Sequence, residues 1–457
     1  LSKLIDVYSI IIVGDFMIYY FIGIKGSGMS ALAQIMHSLG YNVMGSDKPD
    51  HFFTEKGLIE KGIPFTTFNP DNIKENMIIV QGNAFTADHP EVKRAHELGL
   101  KIFTYQEMIA ELTNNTKLIA ISGCHGKTTT TTMMSTVFKS IGINYLIGDG
   151  TGFADKKNEY FALEACEFKR HFLSYNPYYA VVTNVELDHT DYYKDLDDVI
   201  DAFNAFINKA RKAVIMCGDD KNTRKLKTDK EVLFYGFNSD NDVIVKNVSH
   251  NEEVTTADVY IKGKYYDTYT FPFVGDHLLL NALSVITVGY LENIDKNLLK
   301  TGISKIVHAK RRFIEEKFRN NILIDDYAHH PTEVKVTIEA ARKKYSDRPI
   351  IALFKAHTKS RVKYFHKDFA DALNLADKAY VMDIGEDRKE VGYDDVTAYD
   401  IIKDLKNGEH ISLDDADKLL VYKDSNAVLL FMSSKDIYVL EDKYKELVNK
   451  DELVNKK

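Results

Sequence analysis

Short apolar runs recur along the chain, and each is followed by a glycine-rich or polar turn and then by a helical pattern. These runs occupy residues 18–24, 118–121, 179–183, 322–326, 350–354 and 427–431. Continuous apolar runs that alternate with helices are typical of buried parallel strands in βαβ units. Residues 232–274 differ, because Val, Tyr, Thr and Asp alternate there with turn signals and without a helical pattern. That region is predicted to be antiparallel.

The same pattern divides the chain into domains. The polar stretch at 113–117 and the basic stretch before Arg311 are the best candidates for linkers. We therefore predict three α/β domains, at residues 17–115, 116–307 and 308–457, which agrees with the ~100–200 residues that a domain usually takes. We expect Met17 to be the native start and residues 1–16 to be an extension.

Composition and charge exclude several classes of protein. With 45% hydrophobic and 28% charged residues, the 457-residue chain is an ordinary globular protein. A formal net charge of -8 argues against nucleic-acid binding, and the absence of a ~20-residue uncharged span argues against a membrane segment. Three scattered cysteines are too few for a disulfide scaffold or a zinc cluster, which favours a reducing compartment and a cytoplasmic location.

A glycine loop follows the first apolar run and opens a helical pattern. Gly26 and Gly28 are expected to permit a tight turn and the close approach of a diphosphate to the helix N-terminus. Asp47 ends a second strand about twenty residues further on, where an acidic residue commonly meets a ribose. Taken alone, the loop predicts NAD binding, but similar loops bind other nucleotide diphosphates, and a glycine turn used only for packing stays open.

A second glycine loop, residues 123–129 (GCHGKTT), follows the strand at 118–121. At a strand-to-helix turn, such a loop holds phosphates with its backbone N–H groups, while Lys127 reaches the β/γ-phosphates and the Thr128 hydroxyl binds Mg²⁺. The loop is short, since two residues separate Gly123 from Gly126. Because Cys124 lies inside it, we expect alkylation of this thiol to block ATP binding.

Two further strand ends carry groups that suit a hard metal ion. Glu164 and Glu167 end one predicted strand, and the polar segment 183–191, which contains His189, ends another. Mg²⁺ prefers one or two carboxylates together with phosphate oxygens and water. We therefore predict one ATP–Mg²⁺ site in the middle domain. Two nucleotide-type loops on one chain disfavour a simple dehydrogenase and favour an ATP-driven enzyme whose other substrate carries a nucleotide diphosphate.

With these motifs in place, the chain resembles the Mur ligase family over about residues 17–440. The likeness rests on FIGIKGSGMSA at 21–31, GCHGKTT at 123–129, EACEFKRHFL at 164–173, TNVELDH at 183–189, KRRF at 310–313 and DDYAHHPTE at 325–333. The last segment is quite specific, and six segments in the same order are not a coincidence. Within the family, the N-terminal glycine loop and the double histidine favour the member that joins L-alanine to UDP-N-acetylmuramate.

The resemblance implies an α/β fold of three domains. An N-terminal Rossmann-like domain would hold the UDP-sugar, a central domain with a P-loop ATPase-type mixed sheet and helices would bind ATP, and a C-terminal Rossmann-like domain would close over both. The implied partners are ATP, UDP-N-acetylmuramate and L-alanine, with Mg²⁺ or Mn²⁺ as the cofactor, in a monomer or weak homodimer. The implied reaction passes through an acyl phosphate and is the first peptide step of peptidoglycan precursor synthesis in the cytoplasm. Two alternatives stay open: a ligase that attaches a preformed peptide, and a non-catalytic protein that binds the nucleotide and the UDP-sugar.

The resemblance also implies the site residues. Those near ATP are Gly123, Cys124, His125, Gly126, Lys127, Thr128, Thr129, Asn184, His277, Asn281, Arg312 and Asp326. Those near the UDP-sugar are Gly26, Ser27, Gly28, Met29, Ser30, Ser46, Asp47 and Asn83. The amino acid and the domain closure involve Tyr327, His329, His357 and Arg361, and the metal ligands are Thr128, Glu164 and His189. The catalytic set is Lys127, His189, His329 and Arg361.

Two of these roles have a direct physical reason, and three segments depart from the family. An Arg such as Arg361 pairs with a carboxylate in a bidentate geometry, and a neutral His329 near an amine accepts its proton. Leu278 replaces an Asn that is common in relatives, which removes one adenine contact. The segments 355–356 (Lys-Ala) and 433–435 (Ser-Ser-Lys) replace Gln-Pro and Gly-Ala-Gly, and the second change is expected to alter a tight turn.

Overall fold

The computed structural model describes residues 17–455 except 252, 308, 310, 386–389 and 391. Its strands form three separate sheets, each with helices packed on it, so the predicted three-domain α/β fold is confirmed. The expected extension at 1–16 lies outside the described residues, as does Lys310 of the KRRF segment.

The N-terminal domain is a small parallel sheet with helices. Its strands are β1 (Ile18–Ile22), β2 (Asn42–Asp47), β3 (Phe65–Thr67), β4 (Met77–Gln81) and β5 (Ile102–Thr104), and its helices are α1 (Ser27–Ser38), α2 (Glu55–Glu60), α3 (Pro90–Glu97) and α4 (Tyr105–Thr113). The strand order is β3-β2-β1-β4-β5, with all neighbours parallel. Tyr20, Phe21 and Ile22 are fully buried because β1 is central and both faces of the sheet are covered, which explains its continuous apolar run.

The middle domain contains a large mixed sheet. Its strands are β6 (Lys117–Ser122), β7 (Ile143–Leu146), β8 (Gly152–Phe153), β9 (Tyr160–Glu164), β10 (Tyr179–Val182), β11 (Ala213–Cys217), β12 (Glu231–Gly236), β13 (Val243–His250), β14 (Thr255–Ile261) and β15 (Lys264–Phe271). Its helices are α5 (Lys127–Val137), α6 (Leu196–Ile207), α7 (Asp276–Leu291) and α8 (Lys296–Ile303). The order is β15-β14-β13-β12-β11-β10-β6-β9-β7-β8.

The predicted antiparallel region is confirmed for β13, β14 and β15, which pair antiparallel with one another. The strand before them is an exception, since β12 pairs parallel with both β11 and β13. Its sequence (EVLFYG) alternates, but Leu233 and Tyr235 are buried against the middle of the sheet. Alternation alone does not distinguish a half-covered parallel strand from an antiparallel one.

The C-terminal domain has a third sheet. Its strands are β16 (Ile314–Phe318), β17 (Asn321–Asp326), β18 (Ile350–Lys355), β19 (Lys378–Met382), β20 (Gly408–His410) and β21 (Val428–Met432), and its helices are α9 (Pro331–Lys344), α10 (Lys359–Leu373), α11 (Tyr399–Ile402) and α12 (Tyr438–Asn455). The order is β16-β17-β21-β18-β19-β20, parallel except for the β16–β17 pair.

The three domains contact one another where their loops meet. The N-terminal domain packs α1 against β8, and a Cβ on Gly152 would lie 2.8 Å from Ile35 Cδ1, so the absence of a side chain lets the helix approach. The segments that follow β6 and β10 face those that follow β17 and β18 across the boundary between the middle and C-terminal domains. Carboxyl ends of parallel strands are where α/β proteins bind ligands.

Candidate functional site

The loop at 123–126 connects the end of β6 to the start of α5, as the sequence predicted. Gly123 and Gly126 have φ angles of 140° and 82°, a region that favours glycine. A Cβ on Gly123 would lie 2.0 Å from Thr183 Oγ1, and one on Gly126 would lie 2.9 Å from Asn281 Oδ1. Both the backbone conformation and the space therefore require glycine, and the loop lies directly against the end of β10 and the start of α7.

Lys127 places a buried positive charge inside this loop. Its Nζ lies 2.5 Å from the carbonyl oxygen of Gly123 and 2.9 Å from Glu167 Oε2. Burial by itself lowers the pKa of Lys127, but the Glu167 carboxylate outweighs it and the pKa is raised. The ammonium group therefore stays charged where a phosphate is expected to bind.

Glu167 joins the phosphate loop to His189, a connection that the sequence analysis did not assign. Its Oε1 lies 3.2 Å from His189 Nε2, while Oε2 pairs with Lys127. Burial raises the pKa of Glu167, but Lys127 and His189 outweigh it, so the pKa is lowered and the carboxylate is charged. From the sequence, Glu164 and Glu167 are both carboxylates at a strand end, and the sequence does not indicate which of them faces the phosphate loop.

Glu164, the predicted metal ligand, lies on the same edge of the sheet but points elsewhere. It ends β9, which pairs parallel with β6, and its Oε2 accepts a hydrogen bond from the Gly148 N–H at 2.9 Å. Oxygen donors at Thr128, Glu164 and Glu167 are the kind that a hard cation such as Mg²⁺ prefers. The residue types therefore suit the predicted cation, while the Glu164 carboxylate is turned toward Gly148 in this structure.

A cavity of about 160 Å³ lies between the middle and C-terminal domains. Its lining includes eight of the residues predicted for ATP: His125, Gly126, Thr129, Asn184, His277, Asn281, Arg312 and Asp326. The other four, Gly123, Cys124, Lys127 and Thr128, belong to the same loop but lie outside the lining. Leu278, Val274 and Leu280 form an apolar wall of this cavity. With Leu in place of the Asn that is common in relatives, the wall suits the flat face of a base better than its hydrogen-bonding edge.

His125 connects the two domains across this cavity. Its Nε2 lies 3.3 Å from Glu186 Oε2 in the middle domain, and its Nδ1 lies 3.5 Å from Glu333 Oε1 in the C-terminal domain. Burial by itself lowers the pKa of His125, but the two carboxylates outweigh it and raise the pKa to about 9. The imidazole is therefore protonated at neutral pH and holds the domains together electrostatically.

The DDYAHHPTE segment forms the opposite wall because it builds the start of α9. His330 is the N-cap of that helix and accepts a hydrogen bond from the Thr332 N–H, while Glu333 accepts from the His330 and His329 N–H groups. This reciprocal capping box, with Pro331 at the first helical position, is a local feature of the sequence. Neither His330 nor Glu333 is among the predicted site residues, although Pro331 and the Glu three residues after His330 indicate a helix start in the sequence.

A second cavity of about 50 Å³ brings together residues predicted for the amino acid and the metal. It is lined by Asp188, His189, Thr190, Asp191, His329, His357, Thr358, Ser360 and Arg361. Tyr327 lies beside this lining, with its ring centroid 5.3 Å from that of His329. The structure thus brings His189, His329, His357 and Arg361 to one place from two domains.

Arg361, predicted to face a substrate carboxylate, pairs in this structure with a carboxylate of the protein. Its Nη2 and Nε lie 2.6 Å and 3.2 Å from Oδ1 of the protein's own Asp188. Burial raises the pKa of Asp188, but Arg361 outweighs it and holds the pKa well below its usual range. Arg361 Nη1 is buried and has no hydrogen-bond partner within the described part of the chain. This nitrogen, rather than the whole guanidinium fork, is available to a ligand.

Hydrogen bonds to nearby backbone groups hold the side chains of His329 and Asp326 in place. His329 Nδ1 lies 3.0 Å from the Tyr327 carbonyl oxygen, and burial outweighs the nearby carboxylate of Glu333, so the pKa of His329 is lowered and its imidazole is neutral. Asp326, predicted to contact ATP, instead accepts hydrogen bonds from the Phe313 and Ala328 N–H groups, both at 2.8 Å. Burial raises the pKa of Asp326 to about 6. Its carboxylate positions the cavity wall.

In the N-terminal glycine loop, the tight turn is made by a different glycine from the two that were predicted. Gly23, with a φ of 85°, makes the tight turn, whereas Gly26 has a φ of -58°. Gly28 is required for space, because a Cβ there would lie 2.8 Å from Tyr105 Oη. The start of α1 is also close to the middle domain, since a Cβ on Gly150 would lie 3.2 Å from the Ser27 Cβ. The loop therefore lies against the middle domain near Gly150.

Several residues predicted for the UDP-sugar turn their side chains inward. Asp47 Oδ2 accepts a hydrogen bond from the Lys25 N–H at 2.7 Å, so it supports the loop rather than facing a ribose. Ser46 Oγ donates to the buried carboxylate of Glu91, and Ser30 Oγ donates to a backbone carbonyl. Met29 is buried in the core of the domain. Gly26, Ser27 and Asn83 are exposed, and they stay candidates for direct contact.

Cys124, whose alkylation is predicted to block ATP binding, is a buried thiol. Its Sγ lies 3.1 Å from both the backbone carbonyl oxygen and the N–H of Glu186, and the residue is 7% exposed. Burial raises the pKa of Cys124 well above the ordinary value for a thiol. A buried thiol with a raised pKa reacts slowly because the thiolate is the nucleophile.

The unusual segment 433–435 keeps a hydrogen-bonded turn without glycine. Neither Ser434 nor Lys435 has a positive φ. Ser433 Oγ donates to the Lys355 carbonyl oxygen at 2.8 Å and accepts from the Lys435 N–H at 3.0 Å. Lys355 in turn pairs with Asp436 at 2.7 Å. The two departures from the family pattern, at 355–356 and 433–435, therefore contact each other, and the expected distortion of the turn is not observed.

No helix among the described residues is long and apolar enough to cross a membrane. Comparison with known families finds three matches in succession. Residues 18–117 match the Mur ligase family, catalytic domain; residues 121–289 match the Mur ligase middle domain; and residues 311–435 match the Mur ligase, glutamate ligase domain.

Solved structures with the same fold agree with these matches. The UDP-N-acetylmuramate-alanine ligase MurC from Thermotoga maritima is 26% identical, with a TM-score of 0.76, over 95% of this chain and 100% of that one. A murein peptide ligase from Psychrobacter arcticus is 21% identical, with a TM-score of 0.66, over 94% and 98%. The MurF ligase from Thermotoga maritima, solved in complex with ADP, is 18% identical, with a TM-score of 0.63, over 90% and 95%. The last two likenesses concern the fold alone.

Proposed function

Because this chain belongs to the Mur ligase family, we propose that it is an ATP-dependent UDP-N-acetylmuramate–L-alanine ligase. It joins L-alanine to the carboxylate of UDP-N-acetylmuramate in the cytoplasm, as the first peptide step of peptidoglycan precursor synthesis. One observation carries the ATP part: eight residues predicted for ATP, spread from His125 to Asp326, line a single cavity between two domains. The likeness to MurC, at 26% identity over nearly the whole chain, supports L-alanine as the amino acid.

The proposed chemistry activates the sugar carboxylate before the amide forms. A carboxylate is a poor acyl donor at neutral pH, so the γ-phosphoryl group of ATP is transferred to it and an acyl phosphate results. The amine of L-alanine then attacks the acyl carbon, and inorganic phosphate leaves. Phosphoryl transfer mainly needs positioning and charge neutralisation. Lys127 supplies a buried cation at the phosphate loop for this purpose.

The metal and the amine have their own residues in this scheme. Thr128, Glu164, Glu167 and His189 would hold Mg²⁺, which neutralises phosphate charge when bound. His329, neutral because its pKa is lowered, accepts the proton that the alanine ammonium group must lose before it attacks. It lines the small cavity together with His189, so the acceptor lies beside the proposed metal ligands.

Release of inorganic phosphate from ATP tests this proposal, with UDP-N-acetylmuramate and L-alanine each present or omitted. Release that requires both is the expected result. A matched assay with a tripeptide in place of L-alanine addresses the peptide-adding alternative, and faster release with the tripeptide would contradict the assignment. Normal ATP and UDP-sugar binding without any phosphate release would instead indicate a non-catalytic homologue.

A further inference from the structure

Three side chains with metal-ligating atoms converge at the boundary of the middle and C-terminal domains. They are His125, Glu186 and His330, and one ligand atom from each lies within 4.8 Å of the other two. Glu186 Oε2 is 3.3 Å from His125 Nε2 and 3.7 Å from His330 Nδ1. We propose that these residues bind a divalent transition-metal ion of the Zn²⁺ class, which links the two domains and competes with nucleotide. This site goes beyond the proposed ligase reaction, which uses His125 in the lining of its ATP cavity but assigns no metal to these three residues.

Two of the three distances between ligand atoms are close to those of tetrahedral coordination, and the third, between His125 and His330, is within 4.8 Å. Ligand atoms about 2.0–2.1 Å from a zinc ion in a tetrahedral site lie roughly 3.3 Å from one another. The pair formed by His125 and Glu186 already has this separation, and the pair formed by His330 and Glu186 needs a closure of a few tenths of an ångström. A bound metal takes the place of the proton that His125 shares with Glu186. Two protein domains thus supply three ligands, and a water molecule would complete the set.

Glu333 and Thr332 contact two of the three proposed ligands and orient them, as the residues around a metal site commonly do. Glu333 Oε1 lies 3.5 Å from His125 Nδ1, the nitrogen that the metal would not use, which is the carboxylate–histidine–metal arrangement. Thr332 Oγ1 donates a hydrogen bond of 2.8 Å to Glu186 Oε2. Both supporting residues come from α9, so the C-terminal domain orients ligands that belong to the middle domain.

His330 gives an independent reason to expect a ligand here. It is 4% exposed, and its Nε2 has no hydrogen-bond partner among the residues that the structure describes. Its Nδ1 accepts only a long hydrogen bond of 3.4 Å from the Thr332 N–H. A buried polar ring that is so weakly satisfied is uncommon in a folded protein. A metal at Nδ1 would replace this weak hydrogen bond and give that nitrogen a stronger partner.

The ligand types select the metal and explain the competition. Imidazole nitrogens favour Zn²⁺, Cu²⁺, Ni²⁺ and Co²⁺ over Mg²⁺, which prefers oxygen. The site also shares no residue with the proposed Mg²⁺ ligands, which are Thr128, Glu164, Glu167 and His189. Because His125 and Glu186 line the larger cavity, an ion bound to them reduces the room for a nucleotide.

Zn²⁺ binding to the full chain tests the proposal, measured by competition with a chromophoric chelator in millimolar Mg²⁺. We expect one equivalent of Zn²⁺ to bind, with weaker binding when ATP is added. His330→Gln should weaken Zn²⁺ binding at least tenfold, since even a neighbour of a ligand typically contributes about 10–100-fold. His410→Gln is the matched control, because His410 also pairs with a carboxylate, Asp383, at 2.9 Å. This variant should bind Zn²⁺ like the wild type.

A second measurement covers the case in which His330→Gln does not fold. The absorption spectrum of the wild-type protein with Co²⁺ should show nitrogen and oxygen ligands in tetrahedral geometry. A thiolate band would assign the metal to a cysteine and overturn the proposal. The proposal is also overturned if Mg²⁺ displaces Zn²⁺, if His189→Gln abolishes Zn²⁺ binding, or if the protein binds no Zn²⁺. None of these readouts requires turnover, so they stay separate from the test of the ligase activity.

Discussion

Arg361 Nη2 of the C-terminal domain lies 2.6 Å from Asp188 Oδ1 of the middle domain, and the two side chains are 8% and 7% exposed. This buried ion pair forms one wall of the smaller cavity and joins the two domains at the place where phosphate and amino acid are proposed to meet. This ion pair therefore helps to hold the two domains closed around the residues of the smaller cavity.

Asp188→Asn should weaken this closure and lower turnover together. The variant leaves the Arg361 guanidinium buried without its counter-ion, and breaking such a pair typically costs about 3–5 kcal/mol. We expect a lower urea midpoint for unfolding and a decrease in kcat for phosphate release. Asp395→Asn is the control, since its pair with Lys363 is exposed and should contribute less than about 1 kcal/mol. Wild-type stability and turnover in Asp188→Asn would contradict the closure role.

Stability should fall between neutral and alkaline pH because of His125. Its pKa in the folded protein is about 9, above the ordinary value of 6.5, so the folded state retains a proton that the unfolded chain loses in this range. The stabilisation is complete below pH 6.5 and is lost as the pH rises toward 9. We expect the urea midpoint to fall over this interval, and to fall less in His125→Gln. Equal slopes for the two proteins would show that His125 is not the group responsible.

Lys127→Ala should abolish phosphate release and spare UDP-sugar binding. The ammonium group belongs to the phosphate loop, whereas the N-terminal glycine loop belongs to another domain. The variant also leaves Glu167 buried beside an empty position, so it loses stability for a separate reason. The double variant Lys127→Met with Glu167→Gln removes both charges and should recover stability without recovering turnover. Calorimetric titration with the UDP-sugar checks the binding, and its loss in Lys127→Ala would contradict the separation of the two sites.

The native protein should contain no fast-reacting thiol. Burial raises the pKa of all three cysteines, to about 12 for Cys166 and about 11 for Cys217, and well above the ordinary value for Cys124. Ellman's reagent at pH 7, with nucleotide omitted, should react slowly with the native protein and rapidly with three equivalents of thiol after unfolding in guanidinium. One fast equivalent in the native protein, together with loss of ATP binding, would restore the original expectation for Cys124.

Local features of the chain predicted the positions of the loops correctly. Gly123 and Gly126, the strand before them and the helix after them could be identified from sequence because a strand-to-helix turn with left-handed φ angles demands glycine there. The apolar runs predicted the parallel strands, because a strand that is buried on both faces has an almost continuous hydrophobic sequence. Gly23, which makes the N-terminal turn, was not predicted, because the sequence alone does not distinguish a glycine with a positive φ from any other glycine near the loop.

What the sequence by itself determined is therefore the α/β class, the three sheets and the set of chemical groups at the strand ends. Only the tertiary structure decided which groups pair: Glu167 rather than Glu164 with Lys127, and Asp188 rather than a substrate with Arg361. The physical reason is range. Backbone conformation and burial pattern depend mainly on residues that are close in sequence. A buried ion pair depends instead on which charged side chains from distant segments are brought together and desolvated, and the sequence pattern does not give the distances between those side chains.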